Sequence, residues 1–367
     1  MIKFLVLGVA SVQADLIEYL NENNIETHAV AMRNDGPGAE IANHFEEINI
    51  LDKESLEKYI VDNKIDAVYS VGSDIAMPIV GYLSEKFKLP YFTSKAVAKV
   101  CNNKNLMREI TKNCKGSIKT LILDGPVNED VNLRYPLIVK PSDGQGQRGI
   151  NLVHDYENLN SAIKHSIDFS RNKLVVVEEY KAGYEVSVNG YLINGKMSFM
   201  LVSGRETWKE YTGLIHKHIA DDSISYPTKE IEEVMIQHCK AIGIENGPVY
   251  AQLKVENNVP YMIEITPRFD GCHMHKVIKY HTGNDLLDMS IKHLLNGIQP
   301  NFTDNIIMPV TLEFKCEIPN NKVDYSKFKI NENIIEEYNY YKNGEIIRPV
   351  NGVYDKVGYY IYSKKGY

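Results

Sequence analysis

The sequence has no run near the roughly 18 consecutive apolar residues that a membrane-spanning helix requires. Its opening stretch, residues 1–8, is too short and too uncleavable in character for a secretory leader. Both absences point to a cytoplasmic protein without a membrane partner. The five cysteines, Cys101, Cys114, Cys239, Cys272 and Cys316, are odd in number, scattered, and never paired as CxxC. That excludes a disulfide framework and a zinc ribbon and leaves reduced thiols as the expectation. Positive charge is in deficit, with 41 Lys and Arg against 48 Asp and Glu and a net charge of −7, which argues against a nucleic-acid surface. Small molecules are the expected partners. No Ser/His/Asp or Cys/His arrangement suggests a covalent nucleophile.

What is present is ordinary globular composition over 367 residues, 44% hydrophobic and 24% charged, enough for two or three domain cores. The first ninety residues alternate strand and helix: strands over 2–7, 27–32, 46–50 and 67–71, helices over 13–20, 53–61 and 75–87. This pattern predicts a small open parallel sheet. Gly8 follows the first strand, yet residues 8–13 are not a GxGxxG turn and no acidic residue clearly ends the second strand, so a dehydrogenase reading starts weak. Ser73-Asp74 stands at the carboxyl end of a strand, where it either lines a ligand crevice or caps the next helix.

The most informative stretch is Leu137-Ile138-Val139-Lys140-Pro141-Ser142-Asp143-Gly144-Gln145-Gly146-Gln147-Arg148-Gly149-Ile150. An apolar strand delivers Lys140 to a glycine-rich turn, and Gly144, Gly146 and Gly149 let backbone N–H groups approach an anion without interference from a Cβ. Such a segment suits a flap over nucleotide phosphates. Upstream, one helix over 96–110 carries Asn103-Lys104 and is followed by a loop. Downstream come a strand over 174–177 leading into Glu178-Glu179-Tyr180-Lys181, an Asn194-Gly195 hairpin, a helix over 230–242, and two strands over 249–255 and 260–265.

Those last two strands meet at Asn257-Asn258, and a turn centred near residue 258 opposes positions whose numbers sum to about 516, with Cβ atoms about 5 Å apart. Gln252 then faces Glu264. A carboxylate and an amide oxygen converging on one small volume suit Mg²⁺, which takes hard oxygen ligands together with substrate phosphates; a plain cross-strand hydrogen bond is the alternative. Arg268 follows just after Pro267, where a guanidinium fork could hold phosphate or carboxylate.

Taken in order, Lys104, Lys140 with its glycine loop, Glu178-Glu179 with Glu185, Gln252, Glu264 and Arg268 resemble the ATP-grasp superfamily, including its biotin-carboxylase-like and carbamoyl-phosphate-synthetase-like members. The resemblance implies an α/β (α+β clamp) fold in three parts: a preceding open-sheet, Rossmann-like domain over 1–93, a two-lobed ATP-grasp domain over 94–300 with its hinge near 178–185, and a small antiparallel C-terminal β domain over 301–367. It implies that Lys104 and Lys140 hold ATP phosphates, with Gly144 and Gly146 in the loop that closes over them. Residues 178–181, with Glu178, Glu179 and Lys181, would form the hinge that reads adenine largely with backbone groups, and Glu185 would take the ribose hydroxyls. Gln252, Glu264 and Thr266 would hold Mg²⁺, or Mn²⁺ in its place, and Arg268 would stabilise the transferred phosphoryl group. The chain departs from the family pattern at Thr266, where Asn is usual, and at Gln252, where an acid is common.

The implied chemistry is attack of a carboxylate on the ATP γ-phosphate, then displacement of phosphate from the acyl phosphate by an amine. Two other classes stay open: a bicarbonate-using carboxylase or carbamoyl-phosphate-type enzyme, and a nucleotide-binding regulator without turnover. His216 and His218 are read either as substrate-proximal or as polar loop residues. In Asp270-Gly271-Cys272-His273-Met274-His275 a metal reading is set aside, because His273 and His275 lack helical ligand spacing and Cys272 has no partner at CxxC distance. Substrate contact and packing both remain for that segment. Residues 276–295 read as a helical core face broken at Thr282-Gly283. The tail alternates apolar and polar residues with eight tyrosines from Tyr338 to Tyr367, which suggests half-buried packing or a homodimer interface.

Overall fold

The computed structural model describes residues 1–144, 148–211, 214–350 and 353–364. Its N-terminal unit runs β1 (Lys3–Leu7), α1 (Ser11–Glu22), β2 (Glu26–Ala31), α2 (Pro37–Ile41), β3 (His44–Glu47), α3 (Lys53–Asn63), β4 (Ala67–Tyr69) and α4 (Met77–Phe87). The sheet is parallel, in the order β3-β2-β1-β4. Phe4 through Leu7 are fully buried, as a parallel strand covered on both faces demands. The carboxyl end of β4 is the topological edge from which Asp74 projects toward the rest of the chain.

Two short helices follow, α5 (Lys95–Cys101) and α6 (Lys104–Thr111), where the sequence suggests one. Asn103 breaks the run by adopting an extended backbone, φ −128° and ψ 107°. The break has a purpose in the fold: it places Lys104 at a helix start, with its N–H donating to the Ser142 carbonyl at 2.7 Å.

A small lobe comprises β5 (Thr120–Leu123), β6 (Leu137–Pro141), β7 (Asn151–Val153), α7 (Tyr156–Asp168) and β8 (Val175–Glu179), its antiparallel sheet ordered β5-β8-β6-β7. Leu137, Val139, Leu159, Ile163, Val175 and Val177 fill its core. The larger lobe holds β9 (Tyr184–Ile193), β10 (Lys196–Thr207), β11 (Ile215–Ala220), α8 (Thr228–Ile242), β12 (Gly247–Glu256) and β13 (Val259–Thr266), then α9 (Met274–Thr282) and α10 (Leu286–Asn296) on either side of the anticipated break. Both expected hairpin turns have paired positive φ values, 50° and 76° at Asn194-Gly195 and 52° and 61° at Asn257-Asn258. These are the mirror-image turns whose twist matches the strands.

The C-terminal strands β14 (Val310–Glu317), β15 (Asn333–Asn339) and β16 (Asp355–Ser363) are antiparallel, but they do not close on themselves. β14 pairs with the edge of β11, Thr311 opposite Ile219, and extends the lobe into an eight-stranded sheet ordered β13-β12-β9-β10-β11-β14-β16-β15. An unpaired β11 would leave a row of open backbone groups, and the tail satisfies them. Leu312, Phe314, Tyr359 and Ile361 then pack with Met274 and Val277 of α9, so the tail shares a core with the large lobe. All five cysteines are free thiols, and among the described residues no helix is long and apolar enough to cross a membrane.

Candidate functional site

A cavity of about 370 Å³ opens where the small lobe, the β12–β13 hairpin and the carboxyl end of β4 meet. Lys104, Lys140, Gly144, Gln252, Glu264 and Arg268 all line it. Six of the residues singled out from the sequence are therefore gathered in one place. Gly146 lies outside the described residues.

Lys140 reaches the cavity because strand side chains alternate: Val139 enters the lobe core while Lys140 shares a face with Ile138, which pairs with Glu178 on β8. Lys140 Nζ donates to Glu178 Oε1. The other carboxylate oxygen accepts Arg108 Nε at 2.9 Å, and the two terminal nitrogens of Arg108 donate to the Met262 and Ile263 carbonyls at 2.9 and 3.1 Å. All three side chains are buried. Burial opposes ionisation of Glu178, but the charges of Arg108 and Lys140 outweigh it and hold the carboxyl down at about 2. Burial pulls the Lys140 ammonium down to about 8 against the attraction of Glu178. Two cations share one carboxylate, leaving one net positive charge at the cavity wall.

The Glu178 side chain thus faces Lys140 and Arg108, and the hinge role expected for residues 178–181 rests on their backbone groups. The two-residue period turns Glu178 to the Lys140 face and sends its neighbour the other way. Glu179 pairs with Lys181 at 3.3 Å, and Lys181 lies over the Tyr261 ring at 4.4 Å; neither lines the cavity. Arg108 was not singled out from the sequence. Its signal was there, in a short helix whose buried face is Met107, Arg108 and Thr111, since a charged residue in a buried register needs a partner.

Lys104 Nζ donates to the Gly144 carbonyl at 2.9 Å, fastening the start of the glycine-rich turn. A Cβ at Gly144 would lie 2.9 Å from Pro141 Cβ, so only glycine lets the loop fold back there. On the opposite wall Gln252 faces Glu264 in the expected register. Gln252 Nε2 donates to Glu185 at 2.9 Å, and its carbonyl oxygen has no hydrogen-bond partner among the described residues. Glu264 makes no hydrogen bond or ion pair among the described residues. Glu185 is engaged by Arg205 at 3.2 Å and Lys254 at 3.8 Å and stands just outside the lining.

Arg268 is committed differently. Its Nε and one terminal nitrogen donate to the two oxygens of Asp74 at 2.6 Å each, and the other donates to the Phe269 carbonyl at 2.7 Å. Thr266 Oγ1 also donates to Asp74, at 2.9 Å. Thr266 itself is outside the cavity lining, although its partner Asp74 belongs to that lining. Burial works against both charges, but the pairing lowers the Asp74 carboxyl and raises the Arg268 guanidinium from their ordinary values. Of the two readings for Ser73-Asp74, the crevice holds for Asp74. The N-terminal sheet and the loop touch closely here, since a Cβ at Gly72 would lie 2.8 Å from Gly271 Cα.

Further along, Arg205, Tyr250, Asp270 and Cys272 also line the cavity, with Arg205 donating to Tyr250 Oη at 2.9 Å. Arg205 was not singled out from the sequence; it stands near the end of β10, which runs to Thr207. His218 is fully buried beside Asp270, and burial pushes its imidazole down to about 4. His216 instead stacks on Trp208 at 3.8 Å and bonds Glu313 at 3.1 Å. His273 bonds Asp15 and, at 3.0 Å, Tyr340, and His275 lies 3.3 Å from Asp15. Those two histidines tie α9 to α1 rather than to the cavity.

Residues 133–276 match the family model described as the ATP-grasp domain, and residues 5–79, the parallel-sheet unit, match the model of the NAD dependent epimerase/dehydratase family. A curated relative, the ATP-grasp enzyme fsqD of Aspergillus fumigatus, is 31% identical over 144 residues, covering 36% of this chain and 25% of the relative. The chain thus spans about a quarter of the length of that relative. Among solved structures, L-amino acid ligase from Bacillus licheniformis superposes with a TM-score of 0.80 at 17% identity, covering 100% of this chain and 94% of that one. Phosphoribosylglycinamide synthetase from Anaerococcus prevotii gives 0.78 at 18%, covering 99% and 94%. N5-carboxyaminoimidazole synthetase from Staphylococcus aureus complexed with ADP gives 0.75 at 16%, covering 99% and 93%. The shared feature is the fold.

Proposed function

We propose that this chain, an ATP-grasp protein whose matched domain spans residues 133–276, is an ATP-dependent ligase that activates a carboxylate as an acyl phosphate and joins it to an amine, releasing ADP and phosphate. The observation that carries the reading is the meeting, in one cavity, of the positive charge at Lys140 with Glu264 and the Gln252 oxygen, neither of which has a partner among the described residues. The positive charge suits phosphates. The pair suits a hard divalent cation, since it offers oxygen donors of which one is anionic.

The residues therefore fit Mg·ATP, which when bound supplies the phosphoryl group that activates the carboxylate. Lys140 supplies a buried cation whose geometry is fixed by Glu178, so little reorganisation is needed when an anion arrives. Lys104, held at the Gly144 carbonyl, adds a second cation at the glycine turn. Gln252 and Glu264 would hold Mg²⁺ between the phosphates and the large lobe. Arg268 is already paired with Asp74, and its assigned part is to fix the Thr266–Asp270 segment against the N-terminal sheet; contact with the transferred phosphoryl group would require it to share Asp74. The glycine-rich turn would exclude water from an acyl phosphate that hydrolyses readily.

The test is ADP and phosphate release from Mg·ATP across a panel of amino acids and other carboxylates, with and without amines and bicarbonate, for wild type, Lys140→Ala and Glu264→Ala. Carboxylate-dependent ADP formation that requires an amine, and that disappears in both variants, supports the ligase. A strict need for bicarbonate moves the assignment to a carboxylase, and AMP in place of ADP contradicts the acyl-phosphate route.

A further inference from the structure

The wall of the cavity away from Lys140 carries a second cluster of donor atoms. β11 brings His218, and the loop after β13 brings Asp270 and Cys272. One ligand atom from each lies within 4.8 Å of the others, and all three residues are buried. The hydrogen bonding is conspicuously incomplete. Asp270 Oδ1 accepts the Cys272 N–H at 3.1 Å, while Asp270 Oδ2 and both nitrogens of His218 have no hydrogen-bond partner among the described residues although they are shielded from solvent. Buried polar atoms without partners carry their whole desolvation cost. Two such groups side by side therefore ask what would satisfy both.

They do not satisfy each other, because His218 Nε2 and Asp270 Oδ2 are 3.9 Å apart, beyond hydrogen-bond range. That gap is about half an ångström wider than the edge of a tetrahedral zinc polyhedron, about 3.4 Å for bonds near 2.0–2.3 Å. We infer that His218, Asp270 and Cys272 form a binding site for one thiophilic divalent cation of the zinc class. A donor set of one imidazole, one carboxylate and one thiolate selects such an ion over Mg²⁺, which the all-oxygen pair Gln252 and Glu264 prefers. Binding converts the Cys272 thiol to thiolate and releases its proton to solvent. Lys356 Nζ, 3.5 Å from Cys272 Sγ, is in place to donate to that thiolate as an outer partner. Asp270 and Cys272 both line the cavity, so the fourth position faces the space where substrates collect, the arrangement of a site with three protein ligands and one open place.

Sequence spacing could not show this. Cys272 has no partner at CxxC distance and its neighbours His273 and His275 turn toward Asp15; its partner comes from another strand. The other histidine cluster among the described residues, Glu26, His28 and His44, carries no such inference. Its two imidazoles already share Glu26 Oε1, at 3.3 and 3.1 Å, with Lys3 at 3.4 Å from the same oxygen. It serves as the control.

The full chain, stripped with a chelator, is titrated with CoCl₂ and separately with ZnCl₂, metal content being read by mass spectrometry after gel filtration. The expected result is about one equivalent retained, with intense tetrahedral cobalt bands and a thiolate-to-cobalt charge-transfer band. Cys272→Ser abolishes that charge-transfer band, His218→Ala weakens zinc retention at least about tenfold, and Lys356→Met does so by about tenfold; His44→Ala changes nothing. Circular dichroism of each variant separates a lost ligand from a lost fold, and Lys356→Met, which removes no ligand, tests the site if either ligand variant does not fold. No charge-transfer band and no retained zinc in folded wild type overturns the inference. So does retention that survives Cys272→Ser and falls in His44→Ala.

Discussion

Two buried cation clusters border the cavity, and they differ in one count. Around Glu178 there are two cations for one carboxylate, Arg108 and Lys140. Around Asp74 there is one cation, Arg268, bound through both carboxylate oxygens, with Thr266 as an added donor. The first cluster is left with a positive charge at the cavity; the second is neutral within itself. Burying a charge is costly unless it is paired, so an unmatched cation marks a place where an anion is missing, whereas a matched pair is a clamp. Under the proposed function, the difference separates an anion-binding role for Lys140 from a joining role for Arg268, which pairs with Asp74 and so links the N-terminal sheet to the β13 loop.

The comparison can be broken most forcefully at Glu178. Glu178→Gln leaves two buried cations facing each other without a counter-charge, and the expected loss is about 3–5 kcal/mol in unfolding free energy measured by urea denaturation. Lys140→Met should behave oppositely: Arg108 and Glu178 remain as a one-to-one pair, so stability falls much less, while ADP formation drops by about a hundredfold to a thousandfold. Equal destabilisation by the two substitutions would remove the distinction.

Asp74→Asn probes the neutral cluster. An amide still accepts from the guanidinium, and Asp270 contributes to its field, so the expected loss is about 2 kcal/mol. Acid titration sharpens the contrast. The Glu178 carboxyl is held at about 2 against an ordinary 4.5. Its folded value is depressed, so its contribution to stability is complete above about 4.5 and disappears as the pH falls toward about 2. Unfolding free energy should decline across that window in wild type and less steeply in Glu178→Gln. The smallest effect belongs to Thr266→Val, which removes one of three donors to Asp74 and should cost about 1 kcal/mol with magnesium dependence unchanged.

The parts of the site that were legible in the sequence are those fixed by local geometry. Lys140 follows from an apolar strand entering a glycine-rich turn, and the Gln252–Glu264 pairing follows from the hairpin only with the register shift between Gln252 and Leu253, since next to the two-residue turn Glu256 pairs with Val259 and Leu253 with Met262. The break between α9 and α10 at Thr282-Gly283 is local in the same way. What could not be read are partnerships between distant segments. Arg108 meets Glu178 seventy residues on, and Asp74 meets Arg268 across 194 positions, distances over which no periodicity carries information. The ion pairs of the Glu178 side chain went unread for this reason, since its partner Arg108 lies on a separate helix. The tail misled similarly: its strands were readable, but not that β11 offered them an edge. Short elements such as β5 and β7, of four and three residues, leave too few positions for a pattern to emerge.

The central claim is an acyl-phosphate intermediate, and its most direct test follows oxygen. With a productive carboxylate identified from the panel and labelled in both oxygens with ¹⁸O, the released inorganic phosphate is analysed by mass spectrometry. The mechanism predicts one ¹⁸O in each phosphate, transferred from the carboxylate when the amine displaces it, with ADP as the nucleotide product. Phosphate free of label, or label recovered in AMP, would contradict it.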